Sequence, residues 1–218
     1  MPAEAPPPGR LLAAAAANVV LHVVGLALAL WGMRPGTAAF SLDERMGYLA
    51  SHPLGWSLGW GTWMLCALAL VAFFAALQPW APDPDLALLA LALAAAGAGV
   101  DLLCDVGQIV VLPDLAAWTP RDAALFVASE RGLGAGGTVV ANGLYSLAVL
   151  LAGFALRARL PVSALALAAA TCGAGLLMVV AGFSGQPRLV ELSTGPTIAG
   201  FLLWTVVTSR GLSRRDRR

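Results

Sequence analysis

An all-α integral membrane protein, a bundle of six transmembrane helices with two short amphipathic helices on its outer face, is the fold this sequence predicts. Composition is the first reason. The 218 residues are 59% hydrophobic and only 11% charged, with a mean hydropathy of +0.81, which is more apolar surface than a water-soluble core of this size can hide. The second reason is recurrence: apolar runs long enough to cross a bilayer, which takes about 20 residues at about 1.5 Å rise each, follow one another along the chain. The third is punctuation, because proline, glycine and helix-capping signals separate the runs.

The first apolar run covers residues 11–33, after a Pro- and Ala-rich start (residues 1–10) expected to be disordered and cytoplasmic. A secretory signal would have an apolar region of only about 7–15 residues, so this run is read as a retained helix. Its Asn18, His22 and Gly25 share a face with Ala15 and Ala29, a small and polar stripe turned inward. Arg34-Pro35-Gly36 ends the span. Ser41-Leu42-Asp43-Glu44 then reads as a capping box opening a short helix over residues 42–51, whose Leu42, Met46 and Leu49 form an apolar stripe.

His52-Pro53 stops that helix, and a second span follows over residues 54–77, opening with Trp56, Trp60 and Trp63 as interfacial or packing aromatics. Pro79, Pro82 and Pro84 make the next connection. The third span, residues 86–112, encloses Asp101 and Asp105, and these two carboxyls with Gln108 follow i, i+4, i+7 spacing on one face. Ala94, Gly97 and Ala98 lie on that face too, so the acids should look into the bundle, Asp101 near mid-depth and Asp105 nearer the outer water.

Pro113 and then Thr119-Pro120-Arg121-Asp122 predict a second capped short helix over residues 121–131. Gly132, Gly134, Gly136 and Gly137 read as a loop after it, but without a preceding strand or a following Lys-Ser/Thr they are no phosphate loop. A fourth span over residues 138–156 carries Asn142, Tyr145 and Ser146, and a fifth covers residues 161–183. Gly182-Phe183-Ser184-Gly185 resembles the serine motif of rhomboid proteases over four residues, but the next span has no histidine to complete a Ser-His pair. The sixth and shortest span covers residues 192–208, and residues 210–218 form a basic cytoplasmic tail.

Six spans put both termini on one side. Arg10, Arg157, Arg159 and the tail arginines 210, 214, 215, 217 and 218 fall there, which predicts that side to be cytoplasmic. The Ala, Gly and Arg bias points to a GC-rich bacterial genome and hence to the plasma (inner) membrane. A basic tail beside a span reads as an anchor on anionic lipid, so the bilayer is the expected partner and nucleic acid is not. The first two hairpins look alike, each a span, a short capped helix and a span, a weak parallel repeat.

The chain contains no lysine, so a Schiff base to retinal or pyridoxal phosphate is excluded. Cys66, Cys104 and Cys172 are odd in number and lie inside apolar runs, as small packing residues do. Intramembrane ionisable groups are costly and point to function. The leading expectation is an outward-facing polar pocket for a proton, a cation or a small polar ligand, in a carrier or sensor. Asp101 and Asp105 would supply its charge and His22, Asn142, Tyr145, Gln108 and Asn18 its hydrogen bonds. One alternative is a structural or interaction protein whose polar residues join helices. The other is an intramembrane enzyme. No cofactor or metal is expected, and a metal, if bound, would take His22, Asp101 and Asp105.

Overall fold

The structure is a computed structural model that describes residues 8–117 and 123–215, all helical or in turns, with no strand among them. Six helices are long and apolar enough to cross a membrane, as the hydropathy pattern predicts. The principal elements are α1 (Pro8–Ala27), α2 (Leu42–Ser51), α3 (Pro53–Leu77), α4 (Pro84–Ala117), α5 (Ala123–Gly134), α6 (Asn142–Ala155), α7 (Val162–Phe183) and α8 (Pro187–Arg215).

The long helices close into a ring. α1 packs on α3, α3 on α4, α4 on α6, α6 on α7, α7 on α8, and α8 returns to α1. Neighbours in sequence are neighbours in space, as short connections require. Bulky aliphatics such as Val23, Leu89, Leu103, Val110 and Leu177 point outward, whereas Ala15, Ala90, Ala94, Gly97, Ala148 and Ala168 are buried between helices. Small residues allow the close approach that helices need where burying oil against oil gains nothing. Gly175 is one such position, since a Cβ there would overlap the Ser146 side chain of α6.

The capping box forms as its residue types require. The Ser41 hydroxyl accepts from the Glu44 amide at 3.4 Å, while Glu44 Oε2 accepts from the Ser41 amide at 2.9 Å. The Tyr48 hydroxyl then donates to the Gly32 carbonyl and docks α2 on the end of α1. α1 reaches that end through a π-helical turn, Leu28–Gly32.

The second short helix does not stand apart. α5 passes through a π-helical stretch, Ala135–Ala141, straight into α6, so that Ala123–Ala155 is one uninterrupted helical span. Two of the glycines read as a loop, Gly136 and Gly137, are packed against α4. A Cβ on Gly136 would strike the Cys104 thiol, and one on Gly137 would sit 3.2 Å from Asp101 Oδ1, so α4 fills the space that would otherwise favour a turn. The repeat of span, short helix and span is therefore complete only in the first hairpin.

Helix ends also differ from expectation. α4 continues past Pro113 to Ala117, and α8 runs from Pro187 to Arg215 with Pro196 inside it, so the expected shortest span is among the longest and takes in Arg210 and Arg214. Hydroxyls bonded back along α8, Ser193 to the Leu189 carbonyl and Thr197 to the Ser193 carbonyl, accompany the proline. The second cap signal, Thr119 to Asp122, and residues 1–7 and 216–218 lie outside the described residues.

Gly182–Gly185, the four residues that resemble a protease motif, form a helix stop. Gly185 has φ +67, and the Gln186 amide donates to the Ala181 carbonyl at 2.9 Å, which closes α7 in a Schellman-type turn.

Candidate functional site

The ring encloses a cavity of about 380 Å³. It extends from His22, Leu70, Tyr145 and Phe201 to Thr37, Leu133 and Gly134, at the end where α2 and α5 pack. An apolar cluster of Phe73, Phe74, Trp80 and Trp204 fills the ring's interior toward the other end.

Six of the seven residues singled out in the sequence line this one cavity: His22, Asp101, Asp105, Gln108, Asn142 and Tyr145. Helical periodicity explains the convergence, because α4 turns its i, i+4, i+7 face toward α6 and α3, and α1 turns the His22 face toward α3 and α8. Asn18 is the exception. It is fully buried between α1 and α8, where its side-chain amide donates to the Thr205 hydroxyl at 3.4 Å.

Exposure at the two acids does not follow their order along α4. Asp105, placed nearer outer water by the sequence, is 1% exposed, whereas Asp101 is only partly covered. Local packing overrides position along the helix here. Asp101 opens to the cavity and its Oδ2 accepts the Tyr145 hydroxyl at 3.2 Å, while Asp105 Oδ2 is buried with no hydrogen-bond partner among the described residues. An unpaired buried carboxyl oxygen is costly, so its position in a cavity wall is informative.

Other lining groups are already engaged. The Asn142 amide donates to the carbonyls of Gly137 (3.2 Å) and Thr138 (3.1 Å), in the π-helical stretch, and the Ser146 hydroxyl donates to the Asn142 carbonyl at 2.7 Å. His22 Nδ1 bonds the Asn18 carbonyl at 2.8 Å. The His22 ring meets Trp63 edge-on at 5.9 Å and Phe201 at 5.6 Å.

Sequence reasoning missed the aromatic wall. Trp60 and Trp63, read as interfacial or packing residues, line the cavity, and Trp60 Nε1 is buried without a partner among the described residues. The spacing of Trp60, Trp63, Ala67 and Leu70 was the available signal, since it marks one helix face. Gly25 makes room for this wall: a Cβ there would lie 3.3 Å from the Trp63 ring. Thr171, buried with an unpartnered hydroxyl, was likewise missed.

The alternative metal set does not assemble. Among the described residues no three His, Cys, Asp or Glu side chains gather at metal-binding distance, and His22 faces rings and its own helix while the two acids share α4. Cys66 and Cys104 also reach the cavity wall, as free thiols.

Comparison with known proteins returns nothing: no family model, curated protein or solved structure matches this chain. The six-helix ring and its acidic, aromatic cavity define the class, a helical protein with six apolar, membrane-length helices.

Proposed function

We propose that this chain is a multi-pass protein of the plasma membrane whose central cavity binds a proton, a cation or a small polar ligand, as a carrier or a sensor. The observation that carries the reading is the partnerless Asp105 carboxyl in the wall of a cavity that also holds Asp101. A carboxyl within an apolar helix is costly to keep for packing alone, and two on one face of α4 line the same cavity. In this reading both termini are cytoplasmic, α2 and α5 lie on the outer face, and the ligand enters between them.

A packing role has its own specific support in the Asn18–Thr205 bond, which joins α1 to α8 away from the cavity. The two roles occupy different residues. Asn18 belongs to the joints of the ring and the α4 acids to its interior.

The test is thermal stabilisation of the full chain in nanodiscs by inorganic cations, amines and neutral polar solutes, and by pH. A ligand at 100 times its Kd should add about 2.7 kcal/mol. Stabilisation by at least one class, lost in an Asp101→Asn/Asp105→Asn double variant, is the expected result. Equal responses of wild type and double variant to every class would leave only the packing role.

A further inference from the structure

We infer that the cavity's ligand is a monovalent organic cation, a protonated amine on a compact apolar body, with its ammonium beside Asp101 and Asp105 and its body against the Trp63 and Phe201 wall. This assignment rests on the ligand-binding reading above and narrows it to one chemical class.

Charge is the first argument. Asp101 and Asp105 are the only formally charged side chains in the cavity lining, and no arginine among the described residues joins them there. Their charge calls for a cation. Asp101, the more exposed of the two, has one oxygen engaged by Tyr145 and another beside Gly137, and the buried Asp105 carboxyl stands one helix turn behind it.

Coordination chemistry then separates organic from inorganic cations. Calcium takes 6–8 oxygen ligands and magnesium a near-octahedral set, so either would need hydroxyls and carbonyls to supplement two carboxyls. Among the described residues no third carboxylate lines the cavity to build such a shell. Transition metals fare no better without a third His, Cys, Asp or Glu.

The remaining wall is apolar and aromatic. Trp63 and Phe201 flank His22, with Leu70 and Val149 also in the lining, and apolar surface of this kind holds hydrocarbon. A volume of about 380 Å³ suits one ring and a short amine arm. A neutral solute would bring no counter-charge to the acid pair, and an anion would meet it directly.

The experiment titrates the nanodisc-embedded full chain with phenethylamine, which is protonated at pH 7, with 2-phenylethanol as its neutral match and 3-phenylpropanoate as its anionic match. Sodium and calcium chloride are titrated alongside, and empty nanodiscs correct for partition into lipid. Phenethylamine should bind at least about tenfold more tightly than 2-phenylethanol, and the anion should not bind. Asp105→Asn should remove that preference while keeping the alcohol's affinity, which shows the cavity to be intact. Asp101→Asn, at the less buried acid, provides a second variant if the first fails to fold.

Equal binding of alcohol and amine, tighter binding of the anion, or binding of the inorganic cations alone would overturn the amine assignment and leave the ligand-binding reading standing. So would an amine preference that survives both substitutions. If wild type binds none of these probes, the amine assignment is overturned; if its stability also ignores every class in the thermal series, the ligand-binding reading falls with it.

Discussion

Tyr145 donates its hydroxyl to Asp101 Oδ2 at 3.2 Å, and this bond joins α6 to α4 at the cavity wall. The ring of Tyr145 is placed by Gly97, because a Cβ on that glycine would come within 2.8 Å of it. Tyr145→Phe keeps the ring and removes the bond. Interhelical hydrogen bonds in membranes average about 0.6 kcal/mol and reach about 1.7, so the loss of stability should fall in that range. Ligand affinity should change by more, since the freed carboxyl oxygen faces the cavity. Unfolding in mixed micelles beside a binding titration separates the two effects, and a variant unchanged in both would deny the bond any role.

Much of this site was legible in the sequence because it follows from periodicity. Asp101, Asp105 and Gln108 had to share a face once the run from Leu86 to Leu112 was helical, and His22 followed from the small residues around it. What was not legible depended on contacts between helices. The glycines from Gly132 to Gly137 read as a loop because local preference favours one, whereas the chain stays helical through them, with Gly136 and Gly137 packed on Cys104 and Asp101 of α4. That Asp105 is less exposed than Asp101 depends on the same kind of contact, and Trp63, read as an interfacial or packing residue, lines the cavity because its neighbours His22 and Phe201 come from α1 and α8.

Two glycines of α7, two residues apart, should respond oppositely to alanine. A Cβ on Gly175 would overlap the Ser146 side chain, whereas one on Gly173 meets nothing within 4 Å. Gly175→Ala should therefore cost about 1–3 kcal/mol by overpacking the α6–α7 joint. Gly173→Ala should be neutral or add about 0.5–1 kcal/mol, because alanine loses less freedom in a helix. Equal losses in unfolding assays would show that α7 is rotated from the face described.

Acid should loosen α2 through Glu44. The Ser41 hydroxyl, and then the Ser41 backbone amide, donate to this exposed carboxyl and hold it below its ordinary value. The sign follows from that direction: the cap stabilises α2 fully above the ordinary carboxylate value, and its contribution is lost as pH falls through the lowered one. Amide exchange in α2 should be faster in Glu44→Ala than in wild type at pH 7. The two should converge in acid, and a difference that persists or grows there would reverse the assignment.

Orientation is checked by reporter fusions. Those placed after Gln78 and after Arg159 should report cytoplasm, and one near Gly36 the outside, because Arg210 and Arg214 share one end of the ring with Arg157 and Arg159. An outward signal from a fusion to the C-terminus would invert the proposed direction of ligand entry.

The last prediction concerns entry itself. Arg45 on α2 and Glu130 on α5 form an ion pair of 3.3 Å, with side chains 11% and 20% exposed, and α5 carries Leu133 and Gly134 into the cavity wall. Between α5 and the rest of its span lies the π-helical stretch Ala135–Ala141, where backbone bonds are wide in register and a change of helix direction costs least. On the proposed entry route between α2 and α5 the pair holds the two helices together, and breaking it should let α5 swing away. Cys66 and Cys104 line the cavity and report such opening, once Cys172 is replaced by alanine. In that background Arg45→Glu should speed modification of the two thiols by a cationic methanethiosulfonate several-fold, and adding Glu130→Arg should restore the slow rate. Restoration matters because a merely damaged fold would stay reactive. If the reversed pair reacts as fast as the broken one, the Arg45–Glu130 bond does not hold the mouth closed, and entry lies between other helices of the ring.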